Sequence, residues 1–568
     1  MKKYSILLLG CLAFSSCYKL DTVPYDRVNA TTFWQTEEHA LAGVLGCYNA
    51  LKKNNVFGLQ FAYDNLTDVG MGYDPVGFGD VIAGTFTDRS SGIVDRWKSG
   101  FDLIQRCNHA IAQIQQIGAL EEGKKKVFIG EAKFLRALVY FQLTNLYGAL
   151  PLYNESVDIN RDYAELRNPR SSVADVMKFI RDDLQFAVTN LPVSYDAAHT
   201  GRVTKGAAYA LRGKVELYNK NWGAAIADFE EIVQNKSNNY GYSLADDYAS
   251  LFTMEGDNQP EMIFAIQNMG GTGFDYGMPM AKYMGTRSTF GSCWNNSMPS
   301  TRLGDSYENK DGSPFNWNDH FPNYNENNEV KKQAMVSTLS NGQLNHVPDT
   351  TKLLDIYRHR DPRMMQTLIV PYSFYLGWNA NAPRQMQLVL ATGANENFGQ
   401  IRNNRGWMTY LWRKFVPEEN MNGALTNREH VPINFPLIRY ADVLLMLAEA
   451  YNEDNKLAQA ITELNKVRER SDMPGLNSGN PYLAVADKEQ MRKRISHERK
   501  VELAGEGLRY FDLKRWEQLA EVSNAFIEKS IVGDNLVTRQ YQDRHKIWPI
   551  PGQEIEINPA LEQNNEWK

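Results

Sequence analysis

Cysteine is scarce, with five in 568 residues. Cys11 and Cys17 lie near the start, and Cys47, Cys107 and Cys293 are scattered over the rest. An odd, dispersed set excludes a disulfide framework and offers no zinc-ligand spacing. Cys47 and Cys107 fall in apolar helical stretches and read as small core residues. Cys293 stands beside Trp294 in a loop-like stretch, where packing and a free thiol near a site both stay open. Beyond the first residues no apolar run approaches the roughly 20 residues that span a bilayer. The nine histidines are dispersed, with no HExxH and no metal-ligand pair at helical spacing. There is no GxSxG elbow and no Walker loop, and Gly271 to Gly277 lacks the strand, lysine and helix of a phosphate cradle. The net charge of -6 is mixed along the chain. With no basic stripe or polybasic patch, nucleic acid and anionic lipid are not expected partners. No cofactor is expected and no metal-binding residue is assigned, with calcium binding left open by the sequence.

What is present starts at the N-terminus. Lys2 and Lys3 precede an apolar run from Ile6 to Phe14, too short to cross a bilayer, and Ser15-Ser16-Cys17 follows. That order reads as a bacterial lipoprotein signal over residues 1–16, whose removal leaves Cys17 to be acylated. Phe14 stands where Leu is commoner, and the alternative is an ordinary secretory signal with an incidental cysteine. Acylated, the chain is anchored outside the cytoplasm. Tyr18-Lys19-Leu20-Asp21 lacks a dense acidic run, so these residues leave the membrane leaflet open.

Hydrophobic residues make 43% and charged residues 23% of the chain, an ordinary globular composition. Two segments share a helix-turn-helix spacing: Tyr209, Gly213, Ala225 and Phe229, and again Leu444, Ala448, Ala460 and Leu464. A small residue on the first helix lets the second approach, and a bulky residue fills the groove behind, as in tetratricopeptide repeats. Arg212 makes the first copy imperfect. Leu103, Ile104, Cys107, Ile111, Ile114 and Ile117 form a further apolar helical face. Helices are expected near Glu131 to Tyr147, Val173 to Val188 (capped by Ser171 or Ser172) and Met491 to Leu503. Between about residues 255 and 430 the texture changes to Gly, Asn, Pro and aromatics, with short strands expected at Glu261 to Gln267 and Gln385 to Leu390. Five of the eleven tryptophans fall there. The expected fold is mainly α: a tetratricopeptide-like helical scaffold with a long loop-rich, partly β insertion carrying the binding site. Its divisions are 17–254, 255–435 and 436–568.

Three C-terminal segments resemble the SusD/RagB family of outer-membrane nutrient-binding lipoproteins. They are Phe435-Pro436-Leu437-Ile438-Arg439-Tyr440-Ala441-Asp442 with the helix that follows, Glu498 to Trp516, and Trp548-Pro549-Ile550-Pro551-Gly552 with Asn558-Pro559. Asp361-Pro362-Arg363 and Arg106-Cys107-Asn108 are similar as well. The resemblance implies a surface protein that caps a TonB-dependent (SusC-like) transporter and hands it oligosaccharides, or in some members peptides, without cutting them. It implies an outer-membrane location, held by the N-terminal lipid. It does not name the ligand.

The chemistry of the loops fits that implication. A pyranose stacks its C–H face on Trp or Tyr, and its hydroxyls take Asn, Asp, Gln or Arg. Candidate ligand-binding residues are Asp68, Tyr73, Asp74, Tyr276, Arg287, Trp294, Trp317, Trp378, Trp407 and Trp412, of which two or three tryptophans are expected to line the site. Trp97 and Trp516 are expected in the core. Negative net charge leans toward neutral rather than sulfated glycans, unless the pocket itself is basic. Two rivals stand: a peptide-binding lid, and a glycoside hydrolase using Asp305 or Asp319 with an opposed carboxylate. Glu498, Glu502 and Glu506 would lie on one helical face and cannot grip a sugar between them. With Arg499, Arg509 and Arg515 nearby they are expected to form a structural ion network.

Overall fold

The computed structural model describes residues 33–72, 78–157, 162, 165–273, 276–341, 343–392, 400–401 and 406–568. The signal and Cys17, and the candidates Tyr73 and Asp74, lie outside them. The fold is mainly helical. Its N-terminal half is built from α1 (Glu37–Leu51), α2 (Ser91–Gln115), α3 (Glu122–Tyr147), α4 (Val173–Asn190), α5 (Lys205–Tyr218) and α6 (Trp222–Val233). Each from α2 onward packs on its sequence neighbour. The predicted apolar face of α2 is buried at Leu103, Ile104, Cys107, Ile111 and Ile114. Ser172 caps α4 by accepting the Asp175 N–H at 3.1 Å. Helix α3 begins nine residues before the expected Glu131, because Glu122 to Lys126 extend the helix without an apolar signal of their own.

The repeat geometry is as the spacing predicts. A Cβ on Gly213 would sit 2.6 Å from the Phe229 ring, so only glycine lets α5 and α6 come this close. Arg212, the irregular residue, is used as a clamp, reaching the Asp228 carboxylate on α6 at 2.5 and 2.8 Å. The C-terminal half supplies α7 (Tyr440–Glu453), α8 (Leu457–Arg470), α9 (Lys488–Glu502) and α10 (Arg509–Arg515). Helix α7 packs against α6, so the two halves of the scaffold, distant in sequence, are continuous in space.

The loop-rich region leaves and rejoins this scaffold through one ribbon. Strand β1 (Met262–Ile266) pairs antiparallel with β6 (Phe435–Arg439), Phe435 opposite Ile266 and Arg439 opposite Met262. Between them lie β2 (Leu368–Ile369), the hairpin β3 (Phe374–Asn379) and β4 (Ala382–Gln387), and β5 (Leu411–Trp412), which pairs with β2. The region is therefore a single long excursion whose ends meet at the helical scaffold.

Candidate functional site

The carboxylates of the C-terminal segments, expected to form a structural ion network, are buried in ion pairs. Helix α9 ends at Glu502, so Glu506 does not continue the face of Glu498 and Glu502. It stands in a turn between Gly505 (φ +85°) and Gly507 (φ +70°), backbone that L side chains rarely adopt. The partners also differ from the expected neighbours. Arg363 reaches Asp361 at 2.8 Å, Glu498 at 2.6 Å and Glu502 at 2.9 Å. Arg468 reaches Glu498 and Glu308, each at 3.0 Å. Arg470 pairs with Glu261 and Glu502. Arg439 pairs with Glu261, Glu502 and Glu506, Lys414 with Glu506, and Arg494 with Glu308. Six cations thus meet six carboxylates, and the cluster is neutral. Burial alone would raise the Glu502 carboxyl; Arg470, Arg439 and Arg363 overcome it and hold the group well below the carboxylate range. A permanently ionised, saturated carboxylate holds the fold together. Arg499, Arg509 and Arg515 serve other acids: Arg499 takes Asp442 and Asp512, Arg509 takes Asp68, and Arg515 takes Glu449 and Asp512.

Several sugar-stacking candidates are core residues. Trp412 is 1% exposed on β5, because β2 and the Gly505 turn cover it. Trp317 is 4% exposed, stacked on Tyr324 at 5.0 Å, with its Nε1–H donated to Asp305 at 3.0 Å. Neither offers a ring face to a ligand. Asp68 is likewise occupied, buried between Arg509 at 3.0 Å and Lys500 at 3.5 Å. Trp407 is half-buried, beside the Met408 carbonyl that accepts Ile531 N–H at 2.9 Å. Trp97 is in the core as expected. Trp516 is only half-buried, donating Nε1–H to Glu449 at 2.9 Å. It edges a hollow of about 770 Å³ among the helices, lined by Glu449, Glu453, Arg492, Lys500 and Arg515, and Glu449 and Glu453 are paired with Arg515 and Arg492 there.

The remaining candidates gather on adjoining loops. Tyr276 is 57% and Trp294 38% exposed. Trp294 meets Tyr283 edge-on at 5.7 Å, and Trp378 meets Phe290 edge-on at 5.0 Å. The hairpin carrying Trp378 is seated by its N–H on the Ser288 carbonyl at 2.7 Å. Gly377 permits this, since a Cβ there would lie 2.6 Å from that carbonyl. The segment around Val431 links Tyr276 to the same surface, with Val431 N–H donated to the Met278 carbonyl at 2.8 Å. Lys52 of the helix-end after α1 lies over the Tyr276 ring and donates to its carbonyl, and burial lowers its ammonium to about 8.

The turn that raises Trp294 is strained and firmly held. Gly291, Ser292 and Asn295 have φ of +79°, +56° and +50°. For Ser292 this costs of order 1–3 kcal/mol, and less for Asn295, since asparagine adopts this conformation more readily. Main-chain bonds hold it: Trp294 N–H to the Lys282 carbonyl at 2.7 Å, Cys293 N–H to Thr286 at 3.0 Å and Asn296 N–H to Tyr283 at 3.0 Å. Cys293 is buried beneath, its thiol pushed up to about 12 by burial, so it packs and offers no thiolate. Arg287, half-buried, acts electrostatically on that thiol together with Arg428. Beside the turn opens a hollow of about 620 Å³ lined by Thr272, Gly273, Phe290, Gly291, Thr426, Asn427 and Arg428. Tyr283 and Phe290 were not anticipated, although both closely precede Trp294 in sequence. Arg428, which joins from 137 residues beyond Gly291, left no local signal at all.

A model of the SusD family matches residues 260–567, more than half the chain. The chain belongs to the SusD family. A second family model, described as "Starch-binding associating with outer membrane", matches residues 22–217. SusD-like proteins P25 and P38 of Formosa agariphila are 27% and 25% identical, each match covering 99% of this chain and 98% and 99% of the relative. A SusD-like protein of Bacteroides fragilis shares the fold with a TM-score of 0.75 at 24% identity, over 96% of this chain and 100% of that one. A laminarin binding SusD-like protein does so with a TM-score of 0.64 at 23% identity, over 94% and 99%.

The segments that carry the SusD resemblance are structural in this chain. Arg439 and Glu498 to Glu506 build the buried ion cluster, and Asp361-Pro362-Arg363 completes it. Trp548 is buried, donating Nε1–H to Tyr510 at 3.1 Å, and its N–H closes onto the end of α3 at Leu146. The exposed aromatic loops lie outside those segments.

Proposed function

We propose that this chain is a lipid-anchored glycan-binding protein of the outer membrane. It captures oligosaccharides at the Trp294 loops and delivers them uncut to a TonB-dependent transporter. The observation that carries this is Trp294 itself: a half-exposed indole raised on a strained, hydrogen-bonded turn beside an open hollow. A rigid aromatic face is suited to a pyranose ring, at low entropy cost. The starch-binding description of the matching family model and the laminarin binding of one structural relative support the ligand class. Burial raises the carboxyl of the hydrolase candidate Asp305, which accepts the Trp317 indole N–H at 3.0 Å; the charges acting on it are the cations Arg360 and Lys331, and the opposed carboxylate that glycoside hydrolysis needs is not among them, which supports a non-catalytic role.

Calorimetry of a soluble form beginning at Lys19, against plant, fungal and host glycans and mixed peptides, tests this. Binding to one glycan class with the sugar recovered intact is the expected result. Binding to peptides alone, or release of reducing ends, overturns it. Co-purification of a large outer-membrane β-barrel with the full chain tests the delivery step.

A further inference from the structure

The net charge of -6 conceals a local surplus of the other sign at the aromatic turn. Lys282 Nζ lies 4.3 Å from the Trp294 ring centroid and the Arg428 guanidinium 5.9 Å from it. Arg428 Nη1 donates to the carbonyls of Gly291 at 2.8 Å and Ser292 at 2.6 Å, which aims the group without neutralising it. Glu429 is the carboxylate paired with Lys282, at 2.8 Å. That hydrogen bond and the charges of Lys282, Arg428 and His430 hold Glu429 below the usual carboxylate range. Two cations, Lys282 and Arg428, therefore stand over the indole where the paired carboxylate is Glu429, and Arg428 lines the hollow.

A neutral sugar needs hydroxyl partners and gains little from such a surplus, which disfavours burying its cations. A sugar carrying a fixed anion gains both the ring face and the charge. We propose that the site takes an anionic glycan, with the sugar ring on Trp294 and its carboxylate or sulfate against Arg428 and Lys282. This rests on the glycan-binding reading and specifies its substrate class. Arg supplies the planar donor fork that suits either anion, so the two sources share one recognition chemistry.

The test is calorimetry with three oligosaccharides of matched length: an oligogalacturonate, a sulfated oligosaccharide and a neutral glucan. One or both charged ligands should bind at least about tenfold more tightly than the neutral one, and the preference should shrink as salt rises from tens to hundreds of millimolar. Arg428→Met should collapse the charged-to-neutral ratio at an unchanged melting temperature, and Arg428→Lys should restore part of it. If Arg428→Met unfolds the turn, the salt dependence of the native protein still decides. Equal or tighter binding of the neutral glucan, indifferent to salt, overturns the inference and leaves the glycan-binding reading intact. No binding of any glycan overturns both.

Discussion

Asp64 Oδ2 accepts the main-chain N–H of Gly505 at 2.8 Å, joining residues 441 positions apart. The same oxygen takes Gly507 N–H at 3.2 Å, so one carboxyl shapes the turn that aims Glu506 into the ion cluster. Oδ1 is buried with no hydrogen-bond partner among the described residues. Burial outweighs the two amides and pushes the group up to about 7, from an ordinary 3.8.

The sign of the pH effect follows. A carboxyl raised in the folded state favours folding while the unfolded chain is still protonated, and that contribution is lost as pH rises from about 4 through about 7. The loss should amount to about 2–4 kcal/mol. Asp64→Asn keeps an oxygen for both amides and removes the titration, so its stability should be flatter over this window. Urea denaturation of both proteins from about pH 4 to about pH 8 measures it. Parallel profiles would show that Asp64 does not titrate here.

Arg363 is the keystone of the ion cluster, because Asp361, Glu498 and Glu502 all lean on it. Arg363→Met leaves three buried carboxylates short of a cation, a change that costs about 3–5 kcal/mol for a broken buried pair. Lys414→Met should cost less, since Glu506 keeps Arg439 at 2.7 Å. The comparison of the two urea midpoints is the measurement. A smaller loss for Arg363→Met than for Lys414→Met contradicts the assignment.

The repeat contact is equally specific. Gly213→Ala places a methyl 2.6 Å from the Phe229 ring and should destabilise the protein by about 1–3 kcal/mol. Combining it with Phe229→Leu, which trims the ring, should cost less than the sum of the two single changes. Thermal melts of the four proteins complete the cycle. Additive losses would mean that the helices separate rather than clash.

These contacts also show what a sequence can and cannot carry. Gly213 and Phe229 were legible because repeat packing depends on residues a fixed distance apart on successive helices. A structural ion role for Glu498 and Glu502 was legible from the density of charge, yet their burial and their partners were not. Arg363 and Arg439 come from other elements, and no local pattern ties them to α9. Tryptophan count gave no burial, so Trp317 and Trp412 could not be told from Trp294 before the loops were folded. The positive rim needed Arg428 and Lys282 to meet across the chain, and net charge pointed the other way.

The contrast between Trp294 and Trp412 yields the last prediction. Both lie in the aromatic-rich region, one 38% and the other 1% exposed. Trp412→Ala empties a closed site under the Gly505 turn and should cost about 3–5 kcal/mol of stability. Trp294→Ala removes a half-exposed ring whose turn is held by main-chain hydrogen bonds, so its stability cost should stay near 1 kcal/mol. Its effect should fall on binding, with a loss of about tenfold or more in glycan affinity, equal to about 1.4 kcal/mol. Denaturation and calorimetry on the same two variants separate the cases. If Trp412→Ala, while still folded, loses glycan affinity and Trp294→Ala does not, the ligand enters the insertion by another face and the Trp294 platform is not the site.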